Sequence, residues 1–122
     1  MKFEIDIIMG IYNCETYLEA SINSIINQTF ENWRLIMCDD GSKDNTYKIA
    51  QKYQKKYKDK IILLKNESNM GLNYTLNRCI GVSDAKYIAR MDADDTCDSC
   101  RLEEEYAFLE KNKEYALVST NA

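Results

Sequence analysis

"WRLIMCDDGSKDNTYKIAQKYQKKYKDKIILLK", residues 33–65, changes its apolar period twice. "WRLIMC" (33–38) is a short run of strand-forming residues. "DNTYKIAQKYQKKY" (44–57) puts Ile49, Ala50, Tyr53 and Tyr57 on one helical face, with Ser42 or Asp44 as the candidate N-cap. "IILLK" (61–65) is apolar almost throughout, as expected of a strand buried in a parallel sheet. Strand, helix and strand in succession predict two parallel strands joined by a right-handed crossover.

The same alternation continues on both sides. Upstream, "FEIDIIM" (3–9) is strand-like, and "TYLEASINSIINQ" (16–28) carries Leu18, Ile22, Ile25 and Ile26 on one face. Downstream, Leu72, Leu76, Cys79 and Ile80 define a third helical face and "KYIARM" (86–91) a fourth strand. Leu102, Tyr106 and Leu109 mark a fourth helix, and "YALVS" (115–119) a fifth strand. The expected fold class is α/β, with a mostly parallel sheet. Ligands of such sheets bind beyond the carboxyl ends of the strands, near the switch in strand order. The informative segments are therefore "GIYN" (10–13), "DDGS" (39–42), "NESNMG" (66–71) and "DADD" (92–95), which follow strands 1 to 4.

Composition narrows the chemistry. The chain has 122 residues, the size of one domain or of half a larger one, with 45% hydrophobic and 30% charged residues. A net charge of −4 argues against nucleic acid as the partner, because backbone phosphate binding needs clustered Lys and Arg. The basic run "KYQKKYKDK" reads as a solvated helix face. No apolar run is long enough to span a bilayer, and "MKFEIDIIM" interrupts its apolar residues with acids, unlike a signal peptide. The five cysteines are read as reduced thiols of a cytoplasmic protein. There is no histidine, which removes Ser-His-Asp and Cys-His catalysis and the commonest zinc ligand.

The acidic segments carry the chemistry. In extended geometry Asp92 and Asp94 project to one side, with Cα atoms roughly 6.6 Å apart. Two carboxylates that close repel, and a hard divalent cation with oxygen ligands, Mg²⁺ or Mn²⁺, relieves the repulsion and keeps positions open for phosphate oxygens. A calcium loop starting at Asp92 fails at its sixth position, where Cys97 replaces the required glycine. "CDSC" (97–100) comes too late in the chain for a thioredoxin-type motif and lacks a second cysteine pair for zinc, so it reads as two incidental thiols. "DDGSKDNT" has turn formers, but a bare turn does not need two acids before its glycine, and a carboxylate there can accept the imide N–H of uracil. "GSK" lacks the upstream glycine of a P-loop, and no G-x-G-x-x-G follows strand 1. Tyr12 is either a surface aromatic or a platform on which a base stacks. The N-x-S/T triplets at Asn27, Asn66 and Asn73 read as chance matches.

Taken together, "IDIIMGIYNCETYLEASINSIINQTFENWRLIMCDDGSKDNT", "NMGLNYTLN" and "YIARMDADD…RLE" resemble the family 2 glycosyltransferases along nearly the whole chain. The resemblance implies a Rossmann-like GT-A fold with three layers, α/β/α, and a cytoplasmic, inverting, metal-dependent enzyme. The reaction would use a nucleotide sugar, a UDP-sugar above all, and a glycan or lipid-linked acceptor in bacterial surface polysaccharide synthesis. By resemblance, Tyr12 flanks the uracil, Asp40 accepts from the base and Asp39 supports the loop. Asp92 contacts the ribose or a metal-bound water, Asp94 holds the Mg²⁺ or Mn²⁺ that bridges the diphosphate, and Asp95 is a lesser candidate. The family usually has proline at Gly10, glycine at Cys79 and proline at Ser99, and the flanking Cys97 and Cys100 are unusual.

Gly10 is therefore expected to loosen the nucleotide loop. In the family the acceptor half and the general base lie downstream of the matched region. The base is accordingly expected beyond Ala122, and no catalytic residue is identified within the 122 residues. These are expected to be one donor-binding domain, the N-terminal part of a longer enzyme, held at the inner membrane face, if at all, by the rest of it. The alternatives are a non-catalytic nucleotide-binding module and a metal-dependent nucleotidyltransferase. The second would want a glycine- and basic-rich loop where "GIYNCE" stands.

Overall fold

The computed structural model describes residues 3–94, 101–111 and 117–119. Strands β1 (Ile5–Ile11), β2 (Trp33–Asp39), β3 (Ile61–Lys65), β4 (Tyr87–Arg90) and β5 (Leu117–Ser119) alternate with helices α1 (Leu18–Ile26), α2 (Thr46–Lys56), α3 (Leu72–Val82) and α4 (Arg101–Lys111). All neighbouring strands pair in parallel, in the order β3-β2-β1-β4-β5. Every strand's carboxyl end therefore points to one edge, and the order reverses at β1, between β2 and β4.

Alternation along β1 and β2 divides the core into two faces. Ile5, Ile7, Met9, Ile11, Leu35 and Met37 meet Leu18, Ile22 and Ile25 of α1, Ala50 and Tyr53 of α2, and Leu102 and Leu109 of α4. Ile8, Ile36 and Cys38 on the opposite face meet Leu76 and Cys79 of α3. The result is the expected three-layer α/β/α arrangement. Ile49 and Tyr57 are only partly buried against the first core.

Several expectations shift. β1 runs two residues further than its apolar run, because the parallel ladder to β2 continues through Gly10 and Ile11. Gly10 is thus a strand residue and not part of a loop. A Cβ there would lie 2.9 Å from Leu72 Cδ1 and 3.3 Å from Thr75 Cγ2, so its missing side chain is what lets α3 approach the sheet. β3 is an edge strand. Only Ile61 of it is buried, although its apolar run suggested burial on both faces. The buried face of α3 is Thr75, Leu76 and Cys79, whereas Leu72 and Ile80 are exposed.

Cys79 fills an apolar site on the buried face of α3. Asp44, one of the two proposed caps, accepts the Thr46 N–H at the start of α2 at 2.9 Å, while Ser42 Oγ accepts the Asn13 N–H. Finally, α4 shares a face with α1 and α2 although β5 lies on the far side of β1 from β2. The β4–α4–β5 connection therefore has the opposite hand to the other three. Face cover decides this: Tyr87, Ala89 and Met91 belong to the same core as α1, and α4 closes it.

The far end of the sheet is held by charge. Asp6 in β1 is fully buried and receives both Nε and Nη2 of Arg34 at 2.8 Å, the Ser83 hydroxyl at 2.6 Å, and the N–H groups of Asp84 and Ala85. This cluster fixes the turn that leads into β4.

Candidate functional site

The site is built from the loops that leave β1, β2 and β3. Asn13, just past β1, has φ of 46°, a conformation asparagine tolerates. Its Oδ1 accepts the Lys43 N–H at 2.8 Å, and its own N–H donates to Ser42 Oγ at 2.9 Å. Cys14 N–H donates to Thr46 Oγ1 at 2.8 Å. The two loops are thereby tied together, and Tyr12 stands on the fixed base they make. Gly41 has φ of +81°, and a Cβ there would lie 2.9 Å from Asn69 N, so glycine is required both by conformation and by the close approach of the β3–α3 loop.

Asp40 is the hub of this edge. It is 5% exposed. Its Oδ1 accepts the Met70 N–H at 2.7 Å and the Asn66 side-chain amide at 3.0 Å, and its Oδ2 accepts the Gly71 N–H at 3.1 Å. Burial acts to push this carboxyl up, but the hydrogen bonds from Met70, Asn66 and Gly71 outweigh it and hold it below the usual carboxylate range. The charge is thus fixed and presented at a cavity of about 230 Å³, lined by Gly10, Ile11, Tyr12, Asp40, Asn69 and the start of α3.

A second cavity, of about 310 Å³, adjoins the first. Asn13, Cys14, Tyr17, Ala93 and Asp94 line it, and it shares Gly10 and Tyr12 with the first. Asp40 and Asp94, distant in sequence, therefore line two cavities that share Gly10 and Tyr12 at the reversal point of the sheet. Asp39 is fully buried behind them. Its Oδ2 accepts the Ser42 N–H at 3.1 Å, and its Oδ1 has no hydrogen-bond partner among the described residues.

Asp92 is not among the residues that line the second cavity and pairs with Arg90 at 3.3 Å. β4 stops at Arg90, and residues 93–94 form a turn, so the extended D-x-D spacing read from the sequence does not apply. Asp95, Cys97, Ser99 and Cys100 lie outside the described residues, as does Ala122, beyond which the general base is expected.

Among the described residues no three acidic or thiol side chains converge as a closed metal cage. Asp92 and Asp94 instead offer oxygen alone, from two neighbouring carboxylates, with Asp94 on a cavity wall. That set fits a hard cation, which keeps several waters and completes its shell with substrate phosphates.

The sequence marked the segment that begins at Asn66 but assigned no role to Asn66, Thr75 or Arg78. Asn66 follows β3 directly, is 3% exposed, and joins Asp40 to α3. Its position directly after a strand was the available signal.

The model of glycosyl transferase family 2 matches residues 6–122. The chain belongs to this family. Glycosyl transferase family 2 relatives include the putative glycosyltransferase EpsE of Bacillus subtilis (strain 168), 47% identical over 117 residues, which cover 96% of this chain and 42% of that protein. A second is the UDP-Glc:alpha-D-GlcNAc-diphosphoundecaprenol beta-1,3-glucosyltransferase WfgD of Escherichia coli, 33% identical over 125 residues, which cover 97% of this chain and 48% of that protein. Among solved structures, S. aureus TarS 1-349 in complex with UDP superposes with a TM-score of 0.82 at 26% identity, over 93% of this chain and 33% of that one. The chain spans less than half the length of each. The family's GT-A architecture is thus present in these residues. No described helix is long and apolar enough to cross a membrane.

Proposed function

We propose that these residues are the donor-binding part of an inverting glycosyltransferase that binds a UDP-type nucleotide sugar through Mg²⁺ or Mn²⁺. The observation that carries this reading is the pair of cavities that share Gly10 and Tyr12, with Asp40 on one and Asp94 on the other. The uracil enters the first cavity. Its imide N–H donates to the Asp40 carboxylate and its ring lies against Tyr12. Asp39, buried behind, holds the Ser42 N–H and with it the turn that presents Asp40.

The ribose and diphosphate run past Tyr12 toward Asp92 and Asp94. These two carboxylates would hold the cation, with Asp94 the principal ligand. A bound divalent cation supplies Lewis-acid stabilisation of the leaving diphosphate. The side chains of this edge bind and orient the donor. No described residue is assigned as the general base, and the acceptor is a glycan or lipid-linked sugar of bacterial surface polysaccharide synthesis. WfgD, named for a UDP-glucose donor and a diphosphoundecaprenol-linked acceptor, and TarS, solved with UDP, support the nucleotide and the acceptor class.

Titration of the chain with UDP, GDP and ADP, with and without Mn²⁺, tests the reading. UDP affinity that rises with Mn²⁺ supports it. No affinity for any nucleoside diphosphate would sink it and favour a structural scaffold.

A further inference from the structure

Asp40 can serve a nucleobase only if its oxygens point one way, and the surrounding hydrogen bonds settle that orientation. Asn66 donates from Nδ2 to Asp40 Oδ1 and to Thr75 Oγ1, each at 3.0 Å. The Thr75 hydroxyl proton is committed to Gly71 O at 2.8 Å, so Thr75 must accept from Asn66. On its other side Asn66 Oδ1 faces Arg78 Nη1 at 2.7 Å, and the same Nη1 is anchored on Lys65 O at 2.9 Å. A guanidinium only donates, so the atom opposite it must be the amide oxygen. A reversed amide would set nitrogen against Arg78 and oxygen against the Asp40 carboxylate, two repulsive contacts in place of two hydrogen bonds.

We infer that Arg78 orients Asn66, and Asn66 in turn positions the Asp40 carboxylate for the nucleobase, so that both are positioning residues of the donor site. The inference rests on the nucleotide reading above. Asn66 and the Met70 N–H both occupy Oδ1, whereas Oδ2 takes a single donor, Gly71 N–H. Oδ2 therefore keeps the capacity for a ligand N–H. Arg78 is half-buried on α3, away from the two cavities, and reaches Asp40 through Asn66, whose Oδ1 also accepts from the Cys38 thiol at 3.4 Å. The other titratable groups beside Asp40 are Cys38 and Asp39 of β2 and Tyr12 after β1.

The test follows Asp40 directly by carboxyl ¹³C NMR titration without nucleotide, and UDP affinity across pH. It compares the unsubstituted chain with Arg78→Met, Arg78→Lys and Asn66→Leu. Arg78→Met and Asn66→Leu should both raise the Asp40 midpoint, move the acid limb of UDP binding to higher pH, and weaken UDP about tenfold, the loss of one charge-assisted hydrogen bond. Arg78→Lys, still a donor without an acceptor, should restore most of each. Melting curves confirm that the variants are folded. Unchanged Asp40 titration in folded Asn66→Leu overturns the inference, because an effect of Arg78 charge alone would not pass through the amide. If the midpoints move as stated but the unsubstituted chain ignores UDP, the positioning of Asp40 stands and the nucleotide reading falls.

Discussion

Replacing Asp40 with alanine should affect stability and recognition together. It leaves the Met70 and Gly71 N–H groups and the Asn66 amide without their acceptor. An unsatisfied buried donor costs about 1–3 kcal/mol, so the melting temperature should fall by several degrees while nucleoside affinity is lost. Cys79 offers a second check at this scale. Burial pushes its thiol up to about 12, and it is fully enclosed. It should resist alkylation in the native chain at pH 8 and react only on unfolding, whereas half-buried Cys14 should be modified first of the two. Mass-spectrometric mapping of the alkylated thiols reads this out. The acids of this edge were legible in the sequence because they follow strand-like runs. Their partners were not, since the N–H groups of Met70 and Gly71 reach Asp40 through a loop conformation that no residue spacing encodes.

At the scale of elements, Gly10 and Leu72 form a testable pair. Gly10→Ala brings a Cβ within 2.9 Å of Leu72 Cδ1, the tip of an exposed, movable side chain. The expected cost is about 1 kcal/mol, near the low end for overpacking. Leu72→Ala should remove most of that cost in the double variant, so the two substitutions should be non-additive in denaturant melts. Additive losses would show that the two do not press on each other. The order of strands and helices was legible from period alone, because each amphipathic face has a sheet to cover. Strand ends were not. β1 continues through a glycine because its neighbour supplies the ladder, and β3 reads as buried although it lies at an edge, since apolar residues are tolerated there beneath α2.

For the whole molecule, acid stability follows from two carboxylates. Burial works to raise both Asp40 and Asp44, and in each case hydrogen bonds win. Asp44 accepts from the Thr46 hydroxyl, the Thr46 N–H and the Glu15 N–H and is held below its ordinary value, as Asp40 is. Groups lowered in the folded state add stability that is complete above the unfolded value, about 3.9, and lost as pH falls through the lower folded values. Melting temperature should therefore drop on acidification below about pH 4, and less steeply in Asp44→Asn.

At the opposite end of the sheet, Arg34→Met strands the buried Asp6 charge and should cost about 3 kcal/mol in chemical denaturation. The sequence disclosed the parallel sheet and the gathering of acids at one edge. It did not disclose the reversed hand of the last connection, which depends on which face α4 must cover.

The central claim is that one bound molecule reaches from Asp40 to Asp94. Calorimetric titration of uridine and UDP, with and without Mn²⁺, into the unsubstituted chain, Asp40→Ala and Asp94→Ala tests it most directly. Asp40→Ala should weaken both ligands, while Asp94→Ala should bind uridine normally and lose the Mn²⁺-dependent gain for UDP. Full retention of that gain in Asp94→Ala, or UDP affinity indifferent to Mn²⁺ in the unsubstituted chain, would contradict the account.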